Sequence, residues 1–179
     1  MNSKAFETSA QTVVPISDDV IERLFNTYAD MIFRLAYVRT GSQSDSDDIV
    51  QEVFLRMLRS GSIFDDEEHQ KAWLIRAAIN RTNSLMTSAY RKNTVRDGVL
   101  PEDAGDGGQA QTTADQKADV MSAVMRLPVK MRTAVHLFYY QGYRINEIAE
   151  MTGARENTVK SWLSRARKAL GEYLKEADI

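Results

Sequence analysis

Residues 145–170 read INEIAEMTGARENTVKSWLSRARKAL and decide how the second half of the chain folds. Ile145, Ile148 and Ala149 repeat at the spacing of one helical face, which predicts a short helix at the start of this stretch. Gly153 follows that helix, and glycine readily adopts the positive φ that a sharp reversal needs. A longer, basic helix begins just beyond it. Two helices joined in this way predict a helix-turn-helix.

The second helix of this unit has two chemically different sides. At 100° per residue, one side carries the apolar residues Val159, Leu163, Ala166 and Leu170. The opposite side carries Asn157, Lys160, Ser161, Ser164, Arg165 and Lys168. Lys and Arg suit DNA phosphates, and polar side chains can read base edges in the major groove. An ordinary amphipathic helix with a solvated charged face is the alternative interpretation.

We expect the polar residues of this helix to make different kinds of DNA contact. Base reading is expected from Lys160, Ser161, Ser164 and Arg165, and mainly phosphate contacts from Arg155, Arg167 and Lys168. Trp162 lies roughly 60° from the apolar stripe, so we expect its indole to be partly buried against the domain rather than to face DNA.

Charge is segregated along the chain, although the net charge is only −2. Residues 71–96 hold six basic residues and no acidic one, and residues 117–175 hold eleven basic and five acidic residues. Residues 44–69 hold eight acidic residues against two Arg, and residues 97–116 hold five acidic and no basic ones. A net negative chain is poorly suited to hold a duplex unaided. The pattern predicts two nucleic-acid contacts and a separate, basic protein partner.

Composition narrows the function classes. The 179 residues include 43% hydrophobic residues and no Cys, which excludes disulfides and thiolate metal sites. No apolar run is long enough to cross a bilayer and no signal peptide is evident, so we expect a cytoplasmic protein without membrane insertion. His69 and His136 lack metal-ligand partners at suitable spacing. With no nucleophile–base pair and no carboxylate cluster either, we expect neither enzyme activity nor a cofactor.

Helical periodicity runs through almost the whole chain and predicts an all-α fold of two small domains. We place a disordered tail at residues 1–16, the first domain at 17–94, a flexible acidic linker at 95–116 and the second domain at 117–175. Ser17 is the expected cap of the first helix, and Ser44 with Asp47 resembles a capping box for the second. Pro101 and several Gly residues account for the linker.

The motifs together resemble an extracytoplasmic-function (ECF) sigma factor of bacterial RNA polymerase. The resemblance covers roughly residues 17–175. It rests on DDIVQEVF at 47–54, AWL at 72–74 followed by Asn80, Leu127-Pro128, and the helix-turn-helix with Thr158-Val159-Lys160-Ser161 and Arg165-Ala166-Arg167. It implies that the first domain binds core polymerase and the minus-ten promoter element. The second domain would bind the minus-thirty-five element, and an anti-sigma factor is an expected partner.

The resemblance also implies site residues in the first domain. The polymerase-binding set is Asp47, Asp48, Gln51, Glu52 and Arg56. The minus-ten set is Phe64, Arg76, Asn80, Asn83, Arg91 and Lys92, with Asn80 and the loop around Phe64 forming a pocket for a flipped base. Two alternatives stay open: Asp45 and Asp47 as a solvated acidic helix end, and Asn80 as a polar residue satisfied within the domain.

Two features depart from the family pattern. The loop Asp65-Asp66-Glu67-Glu68 is unusually acidic beside single-stranded DNA, and Trp162 stands where the family often has Arg. A free-standing helix-turn-helix regulator is the alternative function, but it leaves the first domain unexplained. Binding of promoter duplex without polymerase would distinguish the two.

Overall fold

The computed structural model describes residues 17–61, 64, 66–97 and 116–177, and in these ranges the regular structure is helical. The all-α prediction is therefore confirmed. The helices are α1 Asp18–Thr40, α2 Gln43–Ser60, α3 Glu67–Asp97, α4 Gln116–Met125, α5 Val129–Val135, α6 Ile145–Thr152 and α7 Glu156–Ala177. A π-helical turn, His136–Tyr140, continues α5. The predicted tail at residues 1–16 and residues 98–115 of the predicted linker lie outside the described residues.

The first three helices form one bundle because each carries an apolar stripe that faces the other two. Ile32, Leu35, Ile49, Met57 and Leu74 are almost completely buried between them. Burial of each such side chain contributes roughly 1.5–3 kcal/mol. This bundle sets α2 and α3 side by side, with the polar faces of both exposed.

The start of α2 differs from the prediction. The N-cap is Ser42, whose hydroxyl accepts a hydrogen bond from the Asp45 backbone N–H at 3.2 Å. The proposed capping box at Ser44 and Asp47 is therefore wrong, and α2 begins earlier, at Gln43. Gly41 permits this early start, since its φ of 72° ends α1 abruptly.

Helices α4 to α7 form the second bundle, in which α7 packs against α4, α5 and α6. Val159, Leu163 and Ala166 of α7 are buried in the core together with Ile148 of α6, as the periodicity predicts. Gly153 ends α6 with a φ of 70°, so the helix-turn-helix is formed as expected.

The two bundles pack on each other through α1 against α5 and α3 against α6. The centre of this joint is Arg39, whose side chain is only 4% exposed. Its guanidinium donates to the hydroxyls of Thr82 at 2.5 Å and Thr133 at 2.6 Å, and to Asn83 Oδ1 at 2.6 Å. Arg132 of α5 in turn donates to the backbone carbonyl oxygen of Arg39 at 2.7 Å.

Neither buried arginine of the joint forms an ion pair with a carboxylate in the described part of the chain. Burial, together with the charge of Arg132, lowers the pKa of Arg39 to about 10. Burial also lowers the pKa of Arg132. Both shifts record the cost of placing a charge in a poorly solvated space, and the shift of Arg39 also records repulsion from Arg132.

Candidate protein- and nucleic-acid-binding surfaces

The outer face of α2 carries the five residues predicted to bind polymerase. All five side chains are exposed: Asp47, Asp48, Gln51, Glu52 and Arg56. They alternate with the buried Ile49, Val50 and Val53, because an amphipathic helix places one face in the core and the other in solvent. The structure thus brings the whole set onto one surface.

Glu52 forms an ion pair with Arg81 of α3, a residue to which the sequence assigned no individual role. Arg81 of α3 donates through Nη2 to Glu52 Oε1 at 2.8 Å, and through Nε to Oε2. The hydrogen bonds from Arg81 keep the pKa of Glu52 below its usual value. A bidentate pair of this kind orients the carboxylate. No local pattern points to the pair, since the partners lie 29 residues apart.

A groove of about 670 Å³ lies between α2 and α3. It is lined by Glu52, Arg56 and Arg59 from α2 and by Asn80 and Arg81 from α3, among others. Asn80 is exposed, so the alternative in which the domain interior satisfies its side chain is not supported by its position. Polar acceptors and three guanidinium groups meet in one groove. Such a surface can contact a carboxylate-bearing or phosphate-bearing partner.

Phe64 lies in a different place. It lines a smaller cavity of about 370 Å³ with Arg23, Tyr28 and Gln70. Its backbone N–H donates to Gln70 Oε1 at 3.1 Å, and Gln70 is buried, so this hydrogen bond holds Phe64 toward α1. The structure therefore does not bring Phe64 and Asn80 into one cavity. Residues 62, 63 and 65 of the same loop lie outside the described residues.

The acidic segment before α3 has a structural explanation for part of its charge. Asp66 Oδ1 accepts from the Glu68 backbone N–H at 3.2 Å, and Glu67 and Glu68 occupy the first turn of α3. Acidic residues at a helix start interact favourably with the positive end of the helix dipole. The two glutamates also raise the pKa of Tyr28, after the larger effect of burial.

The remaining minus-ten candidates are spread along α3. Arg76 Nη2 lies 3.5 Å from Glu150 Oε2 of α6, and Asn83 accepts from Arg39, so both face the joint between the bundles. Arg91 and Lys92 belong to the C-terminal part of α3, whose side chains are outside the described residues.

The second helix of the helix-turn-helix, α7, exposes its polar side as predicted. Seven candidate side chains are exposed: Arg155, Asn157, Lys160, Ser164, Arg165, Arg167 and Lys168. Ser161, the eighth candidate, is half-buried and so less exposed than the other seven. Trp162 is partly buried against the hydrophobic core, which confirms its predicted structural position.

His136 lies in the buried part of the π-helical turn. Burial, and to a lesser extent Arg34, lowers its pKa to about 4. Within the described ranges, no cluster of three or more His, Cys, Asp or Glu side chains could hold a metal ion. None of the helices in those ranges combines the length and apolarity needed to cross a membrane.

Comparison with known families matches both bundles. Residues 24–94 match the family described as Sigma-70 region 2, and residues 117–170 match Sigma-70, region 4. The chain is therefore a two-domain protein of the sigma-70 class.

Individual relatives define the subgroup. The chain is 31% identical over 153 residues to the ECF RNA polymerase sigma factor SigM of Mycobacterium tuberculosis, covering 86% of this chain and 76% of SigM. It is 32% identical over 174 residues to the ECF sigma factor SigE of Mycolicibacterium smegmatis, covering 93% of this chain and 65% of SigE. The chain thus belongs to the ECF sigma factors of RNA polymerase.

A solved structure is similar as well. The sigma factor RpoE of Bartonella quintana, crystallised with the anti-sigma factor NepR, superposes with a TM-score of 0.69 at 25% identity. The match covers 86% of this chain and 96% of RpoE.

Proposed function

We propose that this protein binds core RNA polymerase, directs it to specific promoters and promotes opening of the DNA. The observation that carries the proposal is the pairing of two separate surfaces on one chain: the exposed acidic face of α2 and the exposed basic face of α7. A free-standing regulator needs only the second. The protein acts without enzyme activity or a cofactor of its own, in the cytoplasm where polymerase works.

The α2 face is the proposed contact to polymerase. Asp47 and Asp48 are exposed, and they suit a basic surface on core polymerase. Glu52 is fixed by Arg81 before any partner arrives, so it meets the partner already oriented. The groove beside it, with Arg56 and Asn80, joins this contact to the strand-binding side of α3.

The minus-ten contact is assigned to α3. Asn80 offers both a hydrogen-bond donor and an acceptor to a base that has left the stack. Arg76, Asn83, Arg91 and Lys92 would follow the strand backbone. Phe64 lines a cavity with Gln70 and not the groove that contains Asn80, so we assign it no share in the contact that Asn80 makes.

The minus-thirty-five contact is assigned to α7. Its exposed basic side chains would lie along the phosphates, with Lys160, Ser164 and Arg165 at base edges. Ser161 is half-buried, so we assign it the smallest share of base reading. We further propose an anti-sigma factor as a regulatory partner, by similarity to RpoE in its complex with NepR.

Transcription with purified core polymerase on a library of promoter fragments tests this function. We expect transcripts from a small subset of promoters, and only when the protein is present. A matched measurement without polymerase tests the alternative. If the purified protein binds promoter duplex tightly and selectively by itself, yet adds no transcription to core polymerase, the free-standing regulator is the better description.

A further inference from the structure

Arg81 lines the groove between α2 and α3 beside Asn80, yet the proposed function gives it no contact with DNA. The two residues are neighbours on α3, so a strand that reaches Asn80 also passes Arg81. The side chain of Arg81 is 32% exposed, which leaves part of its guanidinium accessible from the groove. Arg81 is therefore placed to meet the base next to the one that Asn80 binds.

Glu52 holds one edge of this guanidinium. Arg81 Nη2 donates to Glu52 Oε1 at 2.8 Å, and Nε donates to Oε2. These hydrogen bonds raise the pKa of Arg81, so the pair is fully ionised at neutral pH. The guanidinium is a planar fork of N–H donors. Both N–H groups of Nη1 and the outer one of Nη2 are not used by Glu52 and point away from it.

The remaining edge of the fork matches guanine. Two parallel N–H donors from one guanidinium suit the O6 and N7 acceptors of guanine, and this is the commonest base-specific contact of arginine. Because Glu52 already fixes the plane of the fork, less side-chain freedom is lost when the base binds. A fixed fork thus favours one base over the others.

A phosphate contact is the alternative role for an arginine in this groove, and Arg59 suits it better. Arg59 lines the same groove, is exposed and forms no ion pair with any described residue. Its full charge attracts phosphates of any sequence. The charge of Arg81 is balanced by Glu52, so the directed N–H groups of Arg81 matter more than its charge.

We propose that Arg81 is a specificity-determining residue that selects a guanine next to the base bound by Asn80, with Glu52 as its positioning residue. The inference rests on the proposed function, in which this side of α3 contacts the minus-ten strand. Glu52 then serves the strand-binding groove as well as the polymerase-binding face of α2.

Transcription with core polymerase and the full chain, on promoters randomised across the minus-ten element, tests the inference. Sequencing of the transcribed promoters gives the preference for each base at each position. This preference is a ratio within one reaction, so it does not depend on how tightly a variant binds polymerase. That independence matters for Glu52, which belongs to the proposed polymerase contact.

We expect the wild-type protein to favour guanine about tenfold at one position, and Arg81→Ala to abolish that preference. Arg81→Lys keeps the charge but lacks the planar fork, so it should retain only about a two- to threefold preference. Glu52→Gln should weaken the preference in the same way, because a neutral amide holds the guanidinium less firmly. Arg81→Ala should remain folded, since the lost ion pair is partly exposed.

Arg59→Ala is the matched control, because it removes the same charge from the same groove. It should reduce transcription from all promoters alike and leave the guanine preference intact. If Arg81→Ala leaves every base preference unchanged, the pair with Glu52 is only structural and the inference is wrong. If the wild-type protein supports no transcription from any promoter, the proposed function is refuted, and this inference with it.

Discussion

Thr133→Val should destabilise the protein more than Arg39→Met, although it removes fewer atoms. Thr133 accepts a hydrogen bond from the buried Arg39 guanidinium at 2.6 Å across the joint. Valine has nearly the same shape but cannot accept. The substitution therefore leaves one N–H of a buried charged group without its partner, and removing a hydrogen bond to a charged group costs about 1.5–3 kcal/mol.

Arg39→Met removes the charge itself, so its expected cost is smaller. The hydroxyls that lose the guanidinium keep other partners: Thr82 donates to the Ile79 carbonyl oxygen at 2.8 Å, and Thr133 donates to that of Val129 at 2.6 Å. The repulsion from Arg132 also disappears. Replacing a buried ionic group with a well-packed apolar one is often neutral, so we expect a change within about 1 kcal/mol.

Urea denaturation of the full chain, followed by circular dichroism, measures both variants and the double variant. When Thr133→Val is added to Arg39→Met, it should cost little, because no buried N–H remains to be satisfied. The cycle should thus give a coupling of about 1.5–3 kcal/mol between the two side chains. If Arg39→Met proves the more damaging single variant, or if the two effects simply add, the guanidinium contributes net stability and our account of the joint is wrong.

Four further outcomes follow from the surfaces and the core. Asp48→Lys should weaken binding to core polymerase about three- to tenfold by like-charge repulsion, while Asp19→Lys on α1 should not; equal effects in a competition assay would remove α2 from the contact. Asn80→Ala should leave the protein folded but reduce strand opening, seen as weaker permanganate reactivity; unchanged opening would return Asn80 to a structural role. Trp162→Arg should lower the free energy of unfolding by about 1–2 kcal/mol and raise the affinity for DNA duplexes of every sequence. An altered base preference at unchanged stability would mean that position 162 faces DNA. The pKa of His136 is lowered to about 4 in the fold, so only the unfolded chain takes up a proton at this residue as pH falls below 6.5. The free energy of unfolding should therefore drop by roughly 3 kcal/mol between pH 7 and pH 4, and His136→Phe should lack this contribution. Identical pH profiles of the two proteins would contradict the shift.

Local features of the chain were predictable where a short segment contains the whole cause. Val159, Leu163 and Ala166 are buried because their spacing follows the helical repeat, and this spacing is visible in the sequence. Gly153 ends α6 for an equally local reason, its positive φ. The predicted cap of α2 was wrong by two residues. Ser42 and Ser44 are both suitable N-cap residues, and which of them caps the helix depends on where the chain turns after Gly41.

The sequence by itself determined the all-α class, the helix-turn-helix and the polar faces of α2 and α7, because helical periodicity and charge placement act over a few residues. Tertiary structure alone decided which faces are free. Arg81 meets Glu52 across 29 residues, and Arg39 meets Thr133 across 94. Phe64 and Asn80 were expected in one pocket, yet a hydrogen bond to Gln70 holds Phe64 elsewhere. Such contacts depend on how whole helices pack, and packing energy is summed over side chains distant in the chain, so no local pattern records it.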